Sequence, residues 1–533
     1  MRAEATDAGG SAGRRPHGGC AGSSSDCPDK FPVESADIPF VSFLGALGVK
    51  HLLTGIVCLV WLGMAGLLVW RQQVPEATRL ASLPPAPWQI DDEAGAGDGE
   101  SWFGVYQESR KIGHVFRRTT RVGDGHRFVD RSRLRVAVLG SPQTIQSALV
   151  ADTDADFAVT RFHFSLVSPA GNFAATGRRD GGRLHVEYGT DGAREVLELP
   201  LDEPIHLMNA LRPRIAAARP SPGARYVHDV FNPLTMTSEP VVTVVEGEET
   251  IGGVTALRIA EEHRGLRERT WLAEDGRVLR EEGMLGFTLV REPREVALGP
   301  ITGAPVDVAE ASRIPLTGRI EAPREREALR LRLGGAGAAS VPSAPPRQRV
   351  RGDVLEIVRE PLPARATPVP ADGTMAAYLA PAPFIESDDP DIAATAAEIV
   401  GDETDPLRRA RRLLQWVHRN MTQAPSVTVP SARAVLRARR GDCNEHAVLL
   451  TALGRAAGIP SRVVAGAVYL QDGFYYHAWT EFWLGDWVSA DAVFAQMPAD
   501  ATHVRLVEGG PEQHVRLAEV VGRLTFTTMG DAT

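Results

Sequence analysis

Apolar residues run through this chain in three rhythms, each in its own stretch. From Leu52 to Trp70 the run is continuous: nineteen uncharged residues, LLTGIVCLVWLGMAGLLVW, bounded by Lys50-His51 and Arg71. At about 1.5 Å per helical residue it nearly spans the roughly 30 Å hydrocarbon layer, so a transmembrane helix is expected over 52–70, with Trp70 and Arg71 at the interface. Between 101 and 300 the pattern shortens to β-type runs such as Trp102–Tyr106, Leu134–Leu139, Leu184–Tyr188 and Phe287–Val290. They are separated by the turn signals Gly123-Asp124-Gly125, Asp180-Gly181-Gly182 and Asp275-Gly276. This predicts a large antiparallel β domain, built as a curved sheet or half-open barrel. Ala328–Leu333 and Val350–Val358 predict a small β unit over 305–358.

After residue 400 the period turns helical. Asp405-Pro406 offers an N-cap side chain and a proline at N1, followed by a stripe of Leu407, Ala410, Leu414 and Val417. Ser431 caps a second predicted helix, Ala432–Arg439, which stops at Gly441. Ala447, Leu450, Leu453, Gly454 and Ala457 recur at helical spacing up to a Gly458-Ile459-Pro460 stop. Strands are expected next at Ser461–Leu470, Tyr475–Leu484 and Trp487–Asp491, joined by the turns Gln471-Asp472-Gly473 and Gly485-Asp486.

The rest of the chain fills in around these rhythms. Residues 1–37, rich in Gly, Ser, Asp and Arg without apolar period, read as a disordered leader. Residues 74–100 and 359–383 read as linkers, the second Pro-rich, and 511–533 as a C-terminal tail. The fold class expected is therefore α+β and multidomain: a transmembrane helix, a large β domain, a small β unit and a C-terminal catalytic domain over 378–510. Lys/Arg charges lean toward a cytoplasmic N-terminus, which would put the body outside the inner membrane, in the periplasm. With 43% hydrophobic and 23% charged residues the body is too apolar for wholesale disorder. A net charge of −9, without a basic block interleaved with aromatics, excludes a nucleic-acid partner.

Cysteine usage narrows the chemistry. Cys20 and Cys27 lie in the leader and Cys58 in the apolar run, so Cys443 is alone in the globular remainder and no disulfide framework is possible there. It sits in Gly441-Asp442-Cys443-Asn444-Glu445-His446, immediately before a helical pattern. At a helix N-terminus, first-turn N–H groups and the helix dipole are expected to lower its pKa and to receive an oxyanion. On the second predicted strand His477, Trp479, Glu481 and Trp483 share one face. Register decides whether Asp491 can serve His477. A two-residue Gly485-Asp486 turn sets Asp491 opposite Thr480, on the wrong face; a three-residue turn over Leu484–Asp486 sets it opposite Trp479, diagonal to His477 and within reach. The second register is predicted.

Four ordered segments, Gly441-Asp442-Cys443, Gly458-Ile459-Pro460-Ser461-Arg462, His477-Ala478-Trp479-Thr480-Glu481 and Trp487-Val488-Ser489-Ala490-Asp491, resemble the transglutaminase-like, papain-like cysteine superfamily. The chain departs from that pattern at Ala492-Val493, where many relatives carry Pro-Thr. The resemblance implies a Cys443–His477–Asp491 triad acting on amide or peptide carbonyls through an acyl-thioester, with a peptide or protein as substrate. Hydrolysis is the first expectation; transfer to an amine, or a membrane-tethered binding scaffold with an unused triad, are the alternatives. No cofactor or metal is expected. A Cys443–His446–His477 zinc site lacks the usual paired spacing, and no loop carries an alternating acidic calcium pattern. His446 is a competing base by position, Glu445 and Glu481 read as structural partners, and Trp479, Trp483 and Trp487 read as core before cleft wall. The partner of the β domain is not legible.

Overall fold

The computed structural model describes residues 78–79 and 99–529, apart from 191–193, 209, 264–265, 284–285, 302–304, 426–428, 511–512, 514–516, 518–519 and 521. The leader at 1–37, the apolar run at 52–70 and most of the 74–100 linker lie outside the described residues. Among the described residues no helix is long and apolar enough to cross a membrane.

The described residues are mostly β, and the expected large antiparallel sheet is present. Residues 100–200 form one antiparallel meander and 225–292 another, and Phe287–Glu292 pairs with Glu100–Gln107 to join them into one sheet. A short segment links the two meanders: Val159 donates to the Ile205 carbonyl (2.9 Å) and His206 to that of Asp229 (3.0 Å). The result is the barrel-like closure that the turn spacing foretold. A short helix, Arg212–Ala217, seats Pro213 against Gly276 and helps to line an interior cavity of about 560 Å³ with Phe103, Phe128, Leu149 and Phe231.

The C-terminal part is one mixed layer of sheet and helices. Its strands are β1 (Ile314–Thr317), β2 (Ala328–Gly334), β3 (Gln348–Arg351), β4 (Val354–Val358), β5 (Ser461–Leu470), β6 (Gly473–Trp483), β7 (Trp487–Ala490), β8 (His503–Glu508) and β9 (Thr525–Thr528). The order is β3-β4-β2-β9-β1-β6-β5-β8, with β7 paired to the remaining side of β6. Two sequence readings are corrected here. The 305–358 segment is not a separate unit, because β1 pairs with both β6 and β9 and makes one continuous sheet with the C-terminal strands. Nor is 511–533 only a tail, since β9 fills the position between β1 and β2. Four-residue strands show too few alternations to be read as sheet members, and their pairing partners are hundreds of residues away.

Four helices cover this sheet: α1 (Pro390–Val400), α2 (Pro406–Asn420), α3 (Ala432–Ala438) and α4 (Cys443–Ala456). α1 went unread in the sequence, although Asp389 caps it through the Asp391 and Ile392 N–H groups and Pro390 occupies its first turn. On α2 the expected stripe of Leu407, Ala410, Leu414 and Val417 is buried, but the Asp405 side chain does not cap and pairs with Arg408 instead. α4 is buried along nearly its whole length, packed between the other helices and β5–β6. The barrel and this layer share a core, with Phe384 against Phe173 and Tyr188.

Candidate active site

Cys443 is the first residue of α4, and the local sequence dictates that start. The Asp442 side chain accepts from the backbone N–H groups of Asn444 (2.9 Å) and Glu445, and Glu445 returns a hydrogen bond to the Asp442 N–H (2.8 Å), a complete capping box. Gly441 precedes it at φ +157°, where a β-carbon would collide with the Glu445 side chain. The half-buried thiol therefore leaves the helix at a fixed point, facing β6, where its sulfur accepts the Ala478 backbone N–H.

The capping box also overturns the expectation of a lowered thiol pKa. Burial pushes the Cys443 thiol well above its usual value, and the Asp442, Glu445 and Asp491 carboxylates add to the rise, while the Ala478 N–H opposes it. Two of the first-turn N–H groups that would have stabilised a thiolate are committed to Asp442, and both capping carboxylates offset the positive helix end. Burial and these carboxylates thus favour the thiol over the thiolate.

β6 pairs with β7 as Trp483↔Trp487, Phe482↔Val488, Glu481↔Ser489 and Thr480↔Ala490, which is the register of a three-residue turn. Asp491 follows on the face of His477, and His477 Nε2 donates to Asp491 Oδ2 at 2.7 Å. That bond leaves Nδ1 as the ring nitrogen for a second proton partner. Asp491 is fully buried; its other oxygen accepts from the N–H groups of Val493 (2.7 Å) and Phe494 (3.1 Å). The loop at the Ala492-Val493 departure thus folds over the carboxylate through the N–H groups of Val493 and Phe494, without a proline at 492. Burial alone would raise the Asp491 pKa, but the His477 and His503 imidazoles hold it far below the ordinary carboxylate range.

His503 is the residue that sequence reading missed. It begins β8, and its Nε2 donates to the same Asp491 Oδ2 at 2.8 Å, while Nδ1 faces Asp500 Oδ1 at 3.3 Å. β8 lies two strands from β6, and the strand between them carries Gly466 opposite His477, where a β-carbon would strike the Val504 carbonyl. Gly466 leaves the two imidazoles free to approach, with ring centroids 5.5 Å apart. Trp479 is buried against both rings, the core role expected for it. Glu481 binds Arg462 (2.8 Å), a structural partner as read.

Behind this cluster, Arg347 and Glu360 form a buried pair (2.6 Å), and Arg347 also reaches the carbonyls of Ala499, Asp500 and His503. Ser489 is held by Glu360 as well. The 305–358 segment and the start of the Pro-rich linker therefore clamp the backs of β7 and β8, a role that composition did not reveal.

The competing readings resolve by geometry. His446 Nδ1 donates to the Asp442 carbonyl at 2.6 Å and burial lowers its pKa, so it serves as part of the helix start. Among the described residues the metal-capable grouping is His477, Asp491 and His503, not Cys443, His446 and His477. Its N–O separations of 2.7 and 2.8 Å are hydrogen-bond lengths, so each Nε2 carries a proton rather than offering a lone pair to an ion.

Residues 393–492 match the family model of the transglutaminase-like superfamily. No curated protein matches the chain. Among solved structures, a candidate cysteine protease from Cytophaga hutchinsonii aligns at 16% identity over 40% of this chain and 82% of its own, with a TM-score of 0.26. The periplasmic domain of TgpA from Pseudomonas aeruginosa, bound to ethylmercury, aligns at 23% identity over 28% of this chain and 63% of its own, TM-score 0.21. A β-barrel-like protein from Brucella abortus, with a domain of unknown function, aligns at 10% identity over 36% of this chain and 94% of its own, TM-score 0.29. The ordered Cys, His and Asp segments and the family match over 393–492 agree: this chain carries a transglutaminase-like superfamily domain.

Proposed function

We propose that this protein is a thiol-dependent amide hydrolase in which Cys443 is the nucleophile, His477 the proton acceptor and Asp491 the group that orients and charges the imidazole. The observation that carries the reading is the 2.7 Å bond from His477 Nε2 to Asp491, beside a thiol fixed at the start of α4. Burial favours the protonated thiol, so His477 takes its proton through Nδ1 as sulfur attacks the carbonyl carbon. The new C–S bond and the broken C–N bond give an acyl-thioester, His477 delivers the proton to the leaving amine, and water then releases the acid.

A second reading, transfer of the acyl group to an amine, uses the same first half-reaction. The chain offers little of its own as an acceptor: it has lysines only at 30, 50 and 111, and Lys111 is held by Glu292 (3.2 Å) and the Val296 carbonyl. An amine would come from another molecule. We further propose that the 52–70 segment tethers the catalytic body to a membrane from outside the cytoplasm, where peptide or envelope-protein amides are the substrates.

The test is mass spectrometry of a glutamine-containing peptide library incubated with the full chain or its Cys443→Ala variant, with and without a primary amine. Cys443-dependent cleavage or deamidation supports hydrolysis, and amine incorporation supports transfer. If neither appears, and Cys443 resists alkylation until the protein is denatured, the scaffold reading replaces both.

A further inference from the structure

We propose that His503 is a positioning residue of this thiol site: it shares the Asp491 oxygen with His477, is clamped as an imidazolium between Asp491 and Asp500, and so sets how strongly Asp491 acts on His477. The inference rests on the preceding assignment of Cys443 and His477.

The geometry carries it. Both ring nitrogens of His503 face carboxylates, at 2.8 and 3.3 Å, and a ring that donates from both nitrogens is charged. Asp491, His503 and Asp500 are all fully buried, so solvent screens these charges little. Burial alone would lower the His503 pKa, but its hydrogen bonds to the two carboxylates raise it. Asp500 is held in turn by Arg324 (2.9 Å). The other groups packed against the cluster are few: the Cys443 thiol and His446 from α4, the Asp442 and Glu445 carboxylates of its cap, and Arg347, which Glu360 neutralises.

A charged His503 has two consequences. It fixes the Asp491 carboxylate from the side opposite His477, so that one oxygen serves both rings. It also sets a positive charge beside the His477 ring, with the centroids 5.5 Å apart, and competes with that ring for one Asp491 oxygen. In a folded His503→Gln protein, which retains an N–H donor but loses the charge, His477 takes the thiol proton more readily. The midpoint of Cys443 alkylation by iodoacetamide against pH then moves about one unit lower.

Two measurements on the full chain test this. In 15N-histidine-labelled protein, one imidazole remains doubly protonated at pH 8, and its signal is absent from His503→Gln. The alkylation midpoint falls in His503→Gln and falls less in Asp500→Asn, which removes only the partner that keeps His503 charged. Should His503→Gln not fold, judged by circular dichroism, Asp500→Asn carries the comparison. An unmoved or raised midpoint in a folded variant, or no persistent imidazolium in the parent, overturns the proposal while leaving Cys443 as nucleophile. No alkylation of the folded parent overturns the nucleophile assignment instead, and the imidazolium signal still decides the role of His503.

Discussion

Two regions of this molecule bury charge, and they do so with different side chains. Inside the barrel, Arg117 joins Asp130 (2.9 Å) and Glu281 (2.7 Å), and Arg212 joins Glu281 (2.5 Å) and Glu261 (3.0 Å). In the C-terminal layer the cluster is His477, Asp491, His503 and Asp500. The guanidinium network is permanently charged and bidentate; it holds strands in place and has no proton to give near neutral pH. The imidazole cluster is as deeply buried, but its cations are imidazoles, which can gain and lose a proton where a guanidinium cannot. Buried charge by itself is thus not a mark of chemistry here; the identity of the cation is.

Breaking either cluster separates the two roles. The largest effect falls on the thiol site: Cys443→Ala is expected to abolish all Cys443-dependent turnover, a loss of about 10⁴-fold or more, with an unchanged melting temperature. Asp491→Asn keeps the shape but weakens orientation of His477, and kcat on any cleaved peptide should fall about 10³- to 10⁴-fold while Cys443 can still be alkylated. In the barrel, Arg212→Met leaves Glu261 without its cation, while Glu281 keeps only Arg117. It should lower stability by about 3–5 kcal/mol in urea titration, yet leave the alkylation rate of the folded protein unchanged. A change in that rate would mean that the two regions are coupled.

The pH dependence of stability sharpens the same contrast. Burial would raise the Glu281 pKa, but Arg117 and Arg212 bring it down to about 2. A lowered carboxyl contributes stability that is present above its unfolded pKa and lost as pH falls toward the folded value, so the barrel weakens only in acid. His503 is raised, so its contribution is present below the unfolded histidine value and lost as pH rises through the folded one. Thermal melting from pH 3 to 10 should show an alkaline decline that His503→Gln removes and Arg212→Met does not. The smallest effect expected is that of Ser431→Ala, which removes the cap of α3 and should cost about 1 kcal/mol without touching either cluster.

Much of the candidate site was legible because it is local. The helix start at Cys443, the alternation that put His477 and Trp479 on one face, and the turn at Gly485 that set Asp491 on that face all follow from residues within a few positions of one another. His503 was not legible for the opposite reason. Nothing in Ala501-Thr502-His503-Val504 distinguishes a core histidine from a functional one, and only the pairing of β8 with β5, across Gly466, brings it to Asp491. The direction of the Cys443 pKa shift ran against a local rule: a helix N-terminus favours a thiolate, but burial first, and then Asp442 and Glu445 at that end, push the thiol upward.

The sequence by itself determined the chemistry-bearing segments, their order, the strand register at His477 and Asp491, and the β character of residues 101–300, since each depends on periods of two or four residues and on single turns. Tertiary structure alone decided that the 305–358 segment and β9 complete the catalytic sheet, that Arg347 and Glu360 brace it, and that two histidines share one carboxylate oxygen. Those outcomes depend on contacts between residues far apart in the chain, and no local periodicity encodes which distant strand will lie alongside.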